Sequence, residues 1–379
     1  MKKQSLLRAL SLVLALISFL CLPLPISAAP SVSGKCAVLM EAESGKVLYQ
    51  KNAFVRVPMA STTKIMTAIV AIESGNIGRT VSISPEAVGI EGSSVYLYPQ
   101  ERLTLEQLLY ALLLESANDA ATAIAIEVAG NVAAFAAMMN AKAESMGLTA
   151  THFTNPHGLD HEEHYTTAYD LARITAYALS NDVFRKICAT GRMTIPLKGE
   201  EGTRVLVNHN KMLSRYKGAI GVKTGFTKRS GRCLVSAAER DGLTLIAVTL
   251  NAPDDWRDHE SMLDFGFERY ERVTLADKGA FTLPLPVVGG NTEYVLTANT
   301  DALSAMLSRS HGEITHRIEA PQMLYAPLEK GSVVGRVIYS CNGRDIATSD
   351  LVTVNQVTYQ KAEKQGFFPW LRSLLFRDQ

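Results

Sequence analysis

Apolar and polar positions follow different rhythms along this chain, and each rhythm predicts a different kind of element. Lys2, Lys3 and Arg8 precede an uncharged apolar run at residues 9–22, followed by Pro23, Pro25 and the small residues Ser27, Ala28 and Ala29. A positive start, a short apolar centre and a small-residue exit predict a secretory signal peptide over residues 1–28, cut after Ala28. The run falls several residues short of a bilayer-spanning helix, which needs about 20. Residues 37–50, with AVLMEA and KVLYQ on either side of a Ser44-Gly45 turn, predict a hairpin. Helical spacing then takes over at Ser61, with Ile65, Ile69 and Ile72 on one face, and stops near Gly75-Asn76. A second helix begins at Thr104, in LTLEQLLYALLLE, and breaks at Ser116-Ala117-Asn118. Asp119 opens a third, DAATAIAIEVAG. Small apolar residues dominate this middle region, the pattern of a buried helical cluster.

From about Lys223 the period shortens to two, with strands at residues 233–238 and 243–250 around the turn Asp241-Gly242. Strands at both ends with helices between predict an α/β domain over residues 32–270, its terminal strands sharing one sheet. Beyond Leu275 come short alternating runs such as TLPLPVV, EYVLTA and SVVGRVIYS, separated by Gly, Asn and Pro. They predict a small all-β sandwich domain over residues 275–360, with helical spacing only at residues 302–307. The final stretch, residues 366–379, reads GFFPWLRSLLFRDQ. It is too short to span a bilayer, but as a helix it gathers Phe367, Trp370, Leu371 and Leu374 beside Arg372 and Arg377. That suits an amphipathic anchor on the outer face of the cytoplasmic membrane.

Composition changes this picture little. The 379 residues are 47% hydrophobic and 20% charged, as expected of a globular protein with a sizeable core. The formal net charge of +1 supplies no basic field for nucleic acid. Cys36, Cys188, Cys233 and Cys341 remain after processing, far apart and without a Cys-x-x-Cys; buried free thiols are the default reading, and the even count leaves open a bridge whose pairing the sequence does not choose.

Candidate chemistry starts at Ser61-Thr62-Thr63-Lys64. Ser at a helix start is a common N-cap, but a helix also puts i and i+3 on one face, so Lys64 can reach the Ser61 hydroxyl. Apolar neighbours and the positive end of the helix dipole favour a neutral lysine, which can act as a base. One Ser-x-x-Lys decides nothing, since Ser214–Lys217 is another. The order Ser61-x-x-Lys64, Ser116-Ala117-Asn118, Lys223-Thr224-Gly225 is far more specific. The decoy Ser74-Gly75-Asn76 lies 74 − 61 = 13 residues along the same helix, roughly 20 Å from Ser61. His157, His161 and His164 have the spacing of a metal site. Pro156 and Gly158, however, argue against a helix presenting them together, and no metal or organic cofactor is expected.

With ASTTKIMTA, LLLESANDAA, FTNPHGLD, GVKTGFT and the later APLEKGSVVGRV, the chain resembles the low-molecular-mass penicillin-binding proteins, serine-type D-alanyl-D-alanine carboxypeptidases. The resemblance runs from about Cys36 to the end. It implies an α/β fold of the β-lactamase/transpeptidase type followed by a small β domain. It also implies action on peptidoglycan stem peptides ending in D-Ala-D-Ala, and acylation by β-lactam antibiotics. Ser61 would be the nucleophile and Lys64 its base, with Ser116 and Lys223 passing the proton to the leaving group. Asn118 would hold the substrate amide, Lys223 and Thr224 would contact the terminal carboxylate, and Gly225 would also be substrate-binding. The backbone N–H groups of Ser61 and Phe226 would form the oxyanion hole. Arg257 lies where related enzymes carry an arginine near the carboxylate. A class A-like β-lactamase is the alternative enzyme, but Asn118 to Lys223 holds no convincing Glu-x-x-x-Asn element. A non-catalytic peptidoglycan-binding homologue is the alternative outside enzymes, and the intact set of polar residues argues against it.

Overall fold

The computed structural model describes residues 29–197 and 202–361, so the expected signal peptide (1–28) and terminal anchor (366–379) lie outside the described residues. The chain divides into two compact units. One comprises residues up to Arg240 with Thr244–Gly266, the other Asp241–Leu243 with Phe267 onward.

The first unit is built on a five-stranded sheet. Strands β1 (Cys36–Glu41) and β2 (Val47–Lys51) form the expected hairpin, with Gly45 at φ 68° in its turn. Short pairs β3 (Thr80–Ser82) with β4 (Arg102–Thr104), and β5 (Arg192–Leu197) with β6 (Gly202–Val207), lie outside it. Strands β7 (Ala219–Thr227), β8 (Gly231–Arg240) and β9 (Leu243–Leu250) complete the order β2-β1-β9-β8-β7. The first and last strands are neighbours, as expected, with Val38 opposite Val248. Every residue of β1 is buried, which is why it reads as a continuous apolar run rather than an alternating one.

One face of the sheet, including Val38, Met40, Val235 and Val248, packs into the main core. Helices supply the rest of that core: α1 (Lys64–Glu73), α2 (Leu105–Leu114), α3 (Asn118–Ala129), α4 (Val132–Ser145), α5 (Ala168–Leu179) and α6 (Asp182–Ala189). A single helical turn, α7 (Met212–Arg215), precedes β7. Their boundaries follow local chemistry. Thr104 forms a capping box with Gln107 at the start of α2, and Asn131, Thr167 and Asn181 cap α4, α5 and α6. Helix α8 (Asp255–Arg269) covers the opposite sheet face, where a Cβ on Gly266 would lie 2.4 Å from Leu245 Cδ1 and 3.1 Å from Leu39 Cδ2. Glycine is needed there for close approach.

The second unit is β-rich. Strands β10 (Tyr270–Ala276) and β13 (Leu303–Ser308) form one pair. Strands β11 (Thr282–Val288), β12 (Tyr294–Asn299), β14 (Ile314–Glu319), β15 (Leu324–Tyr325), β16 (Val333–Cys341) and β17 (Arg344–Thr353) form a sheet in the order β14-β16-β17-β12-β11-β15. Leu303 shares a core with Val337, Tyr339 and Leu351, which joins the two layers. The helix expected at residues 302–307 is instead strand β13. Leu303 and Leu307 are both buried, and a spacing of four places residues on one face of a strand as well as of a helix.

Candidate active site

Met59 to Lys64 departs from regular structure. Ala60 has φ 47°, a left-handed conformation that costs a residue with a Cβ about 1–3 kcal/mol. Residues Ala60–Thr63 then form a 3₁₀ turn that runs into α1. The capping role considered for Ser61 is not what the turn uses. Met59 and Thr63, ahead of the turn and of α1, make no side-chain cap, and the Ser61 hydroxyl meets Lys64 Nζ at 2.8 Å. The turn is held instead by Thr62 Oγ1 donating to Met59 O (2.6 Å) and Thr63 Oγ1 donating to Ala60 O (2.8 Å).

Two glycines admit this turn between neighbouring segments. A Cβ on Gly158, whose φ is 90°, would fall 2.0 Å from the Ala60 carbonyl oxygen. One on Gly225 would sit 3.0 Å from Ser61 N. Gly225 thus lets β7, the edge strand of the sheet, run directly alongside the serine.

Lys64 is wholly buried and faces three acceptors: Ser61 Oγ at 2.8 Å, Asn118 Oδ1 at 2.8 Å and the His157 carbonyl at 2.6 Å. Asn118 cannot turn its amide without loss, because Nδ2 donates to the Glu91 carbonyl at 2.5 Å. Burial pushes the Lys64 pKa well below the ordinary lysine value, the positive charge of Lys223 pushes it further, and Asp119 opposes both. A neutral amine has two N–H donors and one lone pair. The two acceptors that cannot donate, Asn118 Oδ1 and the His157 carbonyl, take the N–H groups. The lone pair is left for the Ser61 hydroxyl proton. The site can therefore generate a serine nucleophile.

Ser116 interrupts the helices at φ 61° and is buried. It shares with Ser61, Thr224, Gly225 and Phe226 a cleft of about 370 Å³. Lys223 is also buried, donates to the Thr224 carbonyl at 2.9 Å, and has its pKa lowered to about 7 by desolvation. Arg257 stands apart from this group. It is 83% exposed, lies 3.8 Å from Asp254 and is not among the residues lining the cleft. The arginine that does line it is Arg232, held by Asp255 at 2.8 Å. Strand register puts it there, since Arg232 pairs with Phe226 across the hairpin that follows Lys-Thr-Gly.

Sequence reading also passed over Asp119. Its buried carboxylate accepts from Ser94 Oγ (2.6 Å), Leu97 N (3.0 Å) and Ala120 N (2.9 Å), fixing the segment that carries the cleft residue Ser93. The three histidines have separate local partners. His157 Nδ1 accepts from Leu159 N, the exposed His161 accepts from Glu163 N, and the buried His164 contacts Thr63.

Residues 25–254 match the family described as D-alanyl-D-alanine carboxypeptidase, and residues 270–359 match the C-terminal domain of penicillin-binding protein 5. The chain is 31% identical over 349 residues to the D-alanyl-D-alanine carboxypeptidase DacF of Bacillus subtilis (strain 168), covering 89% of this chain and 88% of that one. It is 33% identical over 361 residues to the D-alanyl-D-alanine carboxypeptidase DacC of Escherichia coli (strain K12), covering 90% and 87% respectively. Among solved structures, penicillin-binding protein 5 from Haemophilus influenzae aligns with a TM-score of 0.71 at 28% identity, over 87% of this chain and 99% of that one.

Proposed function

The chain belongs to the D-alanyl-D-alanine carboxypeptidase family, and we propose that it carries out that hydrolysis through Ser61. As a member of the family it is a serine-type carboxypeptidase, acting on peptidoglycan peptides that end in D-Ala-D-Ala and binding β-lactams. The observation that carries the assignment is the Lys64 geometry, with two fixed acceptors and the Ser61 hydroxyl at 2.8 Å.

Lys64 takes the Ser61 proton as Oγ attacks the carbonyl between the two D-alanines. The oxyanion that forms is received by the backbone N–H groups of Ser61 and Phe226, on the turn and the edge strand that Gly225 brings together. The peptide C–N bond then breaks. The departing amine takes a proton relayed from Lys64 by way of Ser116 and Lys223, leaving an ester on Ser61. Water hydrolyses that ester. Thr224 and Lys223 receive the substrate's terminal carboxylate, and Arg232, on the cleft wall, replaces Arg257 in this role. Asn118 retains one amide N–H beyond its bond to Glu91, available to the substrate's backbone carbonyl.

Incubation with benzylpenicillin followed by peptide mass mapping tests the assignment. A penicilloyl adduct on the peptide containing Ser61, absent in Ser61→Ala, is the expected result; an adduct elsewhere overturns it.

Export belongs to the same proposal. The basic-apolar-small pattern of residues 1–28 and the aromatic-arginine pattern of residues 366–379 support a protein held on the outer face of the cytoplasmic membrane, where its substrate lies.

A further inference from the structure

His164 is 3% exposed and lies outside the reacting set, yet it bonds directly to the turn that carries Ser61. The backbone N–H of Thr154 donates to its Nδ1 at 3.0 Å. A backbone N–H can only donate, so Nδ1 must be the unprotonated nitrogen and the ring proton must sit on Nε2. That nitrogen lies 2.7 Å from Thr63 Oγ1. The Thr63 hydroxyl sends its own proton to the Ala60 carbonyl at 2.8 Å. All donors therefore run one way: Thr154 N–H to the ring, the ring to Thr63, and Thr63 to Ala60. The chain ends on the residue with φ 47° immediately before Ser61. Burial above all lowers the His164 pKa to about 3, which keeps the ring neutral and the direction fixed.

The loop presenting His164 also holds the turn and the start of α1 elsewhere. The His157 carbonyl accepts from Lys64 at 2.6 Å, the Pro156 carbonyl accepts from Thr67 Oγ1 at 2.6 Å, and Gly158 abuts the Ala60 carbonyl. Asn155 organises the loop by accepting from Gly158 N at 2.7 Å and donating to the Leu159 carbonyl at 3.0 Å. Within this clasp only His164 reaches the left-handed residue through a polarised side-chain chain.

We propose that His164 is a positioning residue for the nucleophile, fixing the peptide unit ahead of Ser61 through Thr63 and the Ala60 carbonyl. The inference rests on the assignment of Ser61 as nucleophile. Glutamine can reproduce both bonds, donating through its amide nitrogen and accepting through its oxygen, whereas leucine can make neither.

The test compares wild type, His164→Leu, His164→Gln, Thr63→Val and the Leu/Val double variant. Penicillin acylation rates, kcat and KM for a D-Ala-D-Ala peptide, and thermal midpoints are measured on each. Misplacing a nucleophile by about 1 Å costs on the order of 100-fold. His164→Leu and Thr63→Val should therefore each lower acylation and kcat by roughly 10- to 100-fold, with KM within about 2-fold of wild type. His164→Gln should recover most of the rate. The double variant should be little worse than either single one, as expected for members of one chain of contacts. The proposal is overturned if His164→Leu acylates at the wild-type rate, or if Gln and Leu lose activity equally. It is also overturned if the two single losses multiply in the double variant. A wild type that neither releases D-alanine nor takes up penicillin would instead sink the Ser61 assignment itself.

Discussion

At Lys64, burial and the charge of Lys223 act in one direction and Asp119 in the other, so the charge state of Lys223 bears on the base. Acylation needs neutral Lys64, and its rate should rise with pH through that titration and then level off. Lys223→Gln removes one of the influences lowering the Lys64 pKa, so the acid limb should move to higher pH, whatever happens to the plateau. A limb that stays in place would mean that Lys64 is not the titrating base. Lys223 itself is held near 7 by burial, against about 10.4 in an unfolded chain. Between those values the unfolded chain binds more protons, so stability should rise with pH across that window. Denaturant midpoints of wild type should climb from about pH 7 to about pH 10, and less steeply in Lys223→Met. Much of this chemistry was legible in the sequence, because three short motifs in a fixed order specify residue types that have to meet. The partners of those residues were not. Nothing in the string says that Asn118 faces Lys64, that His164 reaches Ala60, or that Arg232 rather than Arg257 lines the cleft. Those follow from tertiary contact and strand register.

Elements are shaped around the same turn, and Gly158 is where this is most exposed to test. Its φ of 90° and the 2.0 Å that would separate an added Cβ from the Ala60 carbonyl oxygen leave no accommodation by side-chain movement. Gly147 has a similar φ of 70° with open space around it. Gly147→Ala should cost only the left-handed penalty, about 1–2 kcal/mol. Gly158→Ala should cost clearly more, above about 3 kcal/mol, and should abolish penicillin uptake. Equal losses in urea melts would show that Gly158 is needed for its backbone angle alone. The hairpin at residues 37–50 and the interruption at Ser116 were readable from turn residues and apolar spacing. Strand β13 was not, because Leu303 and Leu307 satisfy both periods and a six-residue stretch offers nothing to separate them. The 3₁₀ turn was hidden as well, since a Ser ahead of an apolar helix reads as a cap whether or not its hydroxyl is needed elsewhere.

Across the whole molecule, the meeting of β1 with β9 places the start and end of the first unit side by side. It brings Lys-Thr-Gly to the sheet edge beside a turn far earlier in the chain, the separation of Ser61 and Lys223 being 223 − 61 = 162 residues. Strands at both ends of a helical segment made that closure predictable, whereas the strand order needed the fold. The proposed export makes a separate prediction. Deleting residues 366–379 should move the protein from the membrane fraction to the soluble fraction while leaving kcat unchanged; retention of the truncated chain on membranes would rule out the anchor. The most direct measurement of the central claim is D-alanine release from a synthetic peptide ending in D-Ala-D-Ala, by the wild-type chain beside Ser61→Ala. Release by the first and none by the second is the predicted result. Equal release by both, with the substituted protein folded, would contradict it.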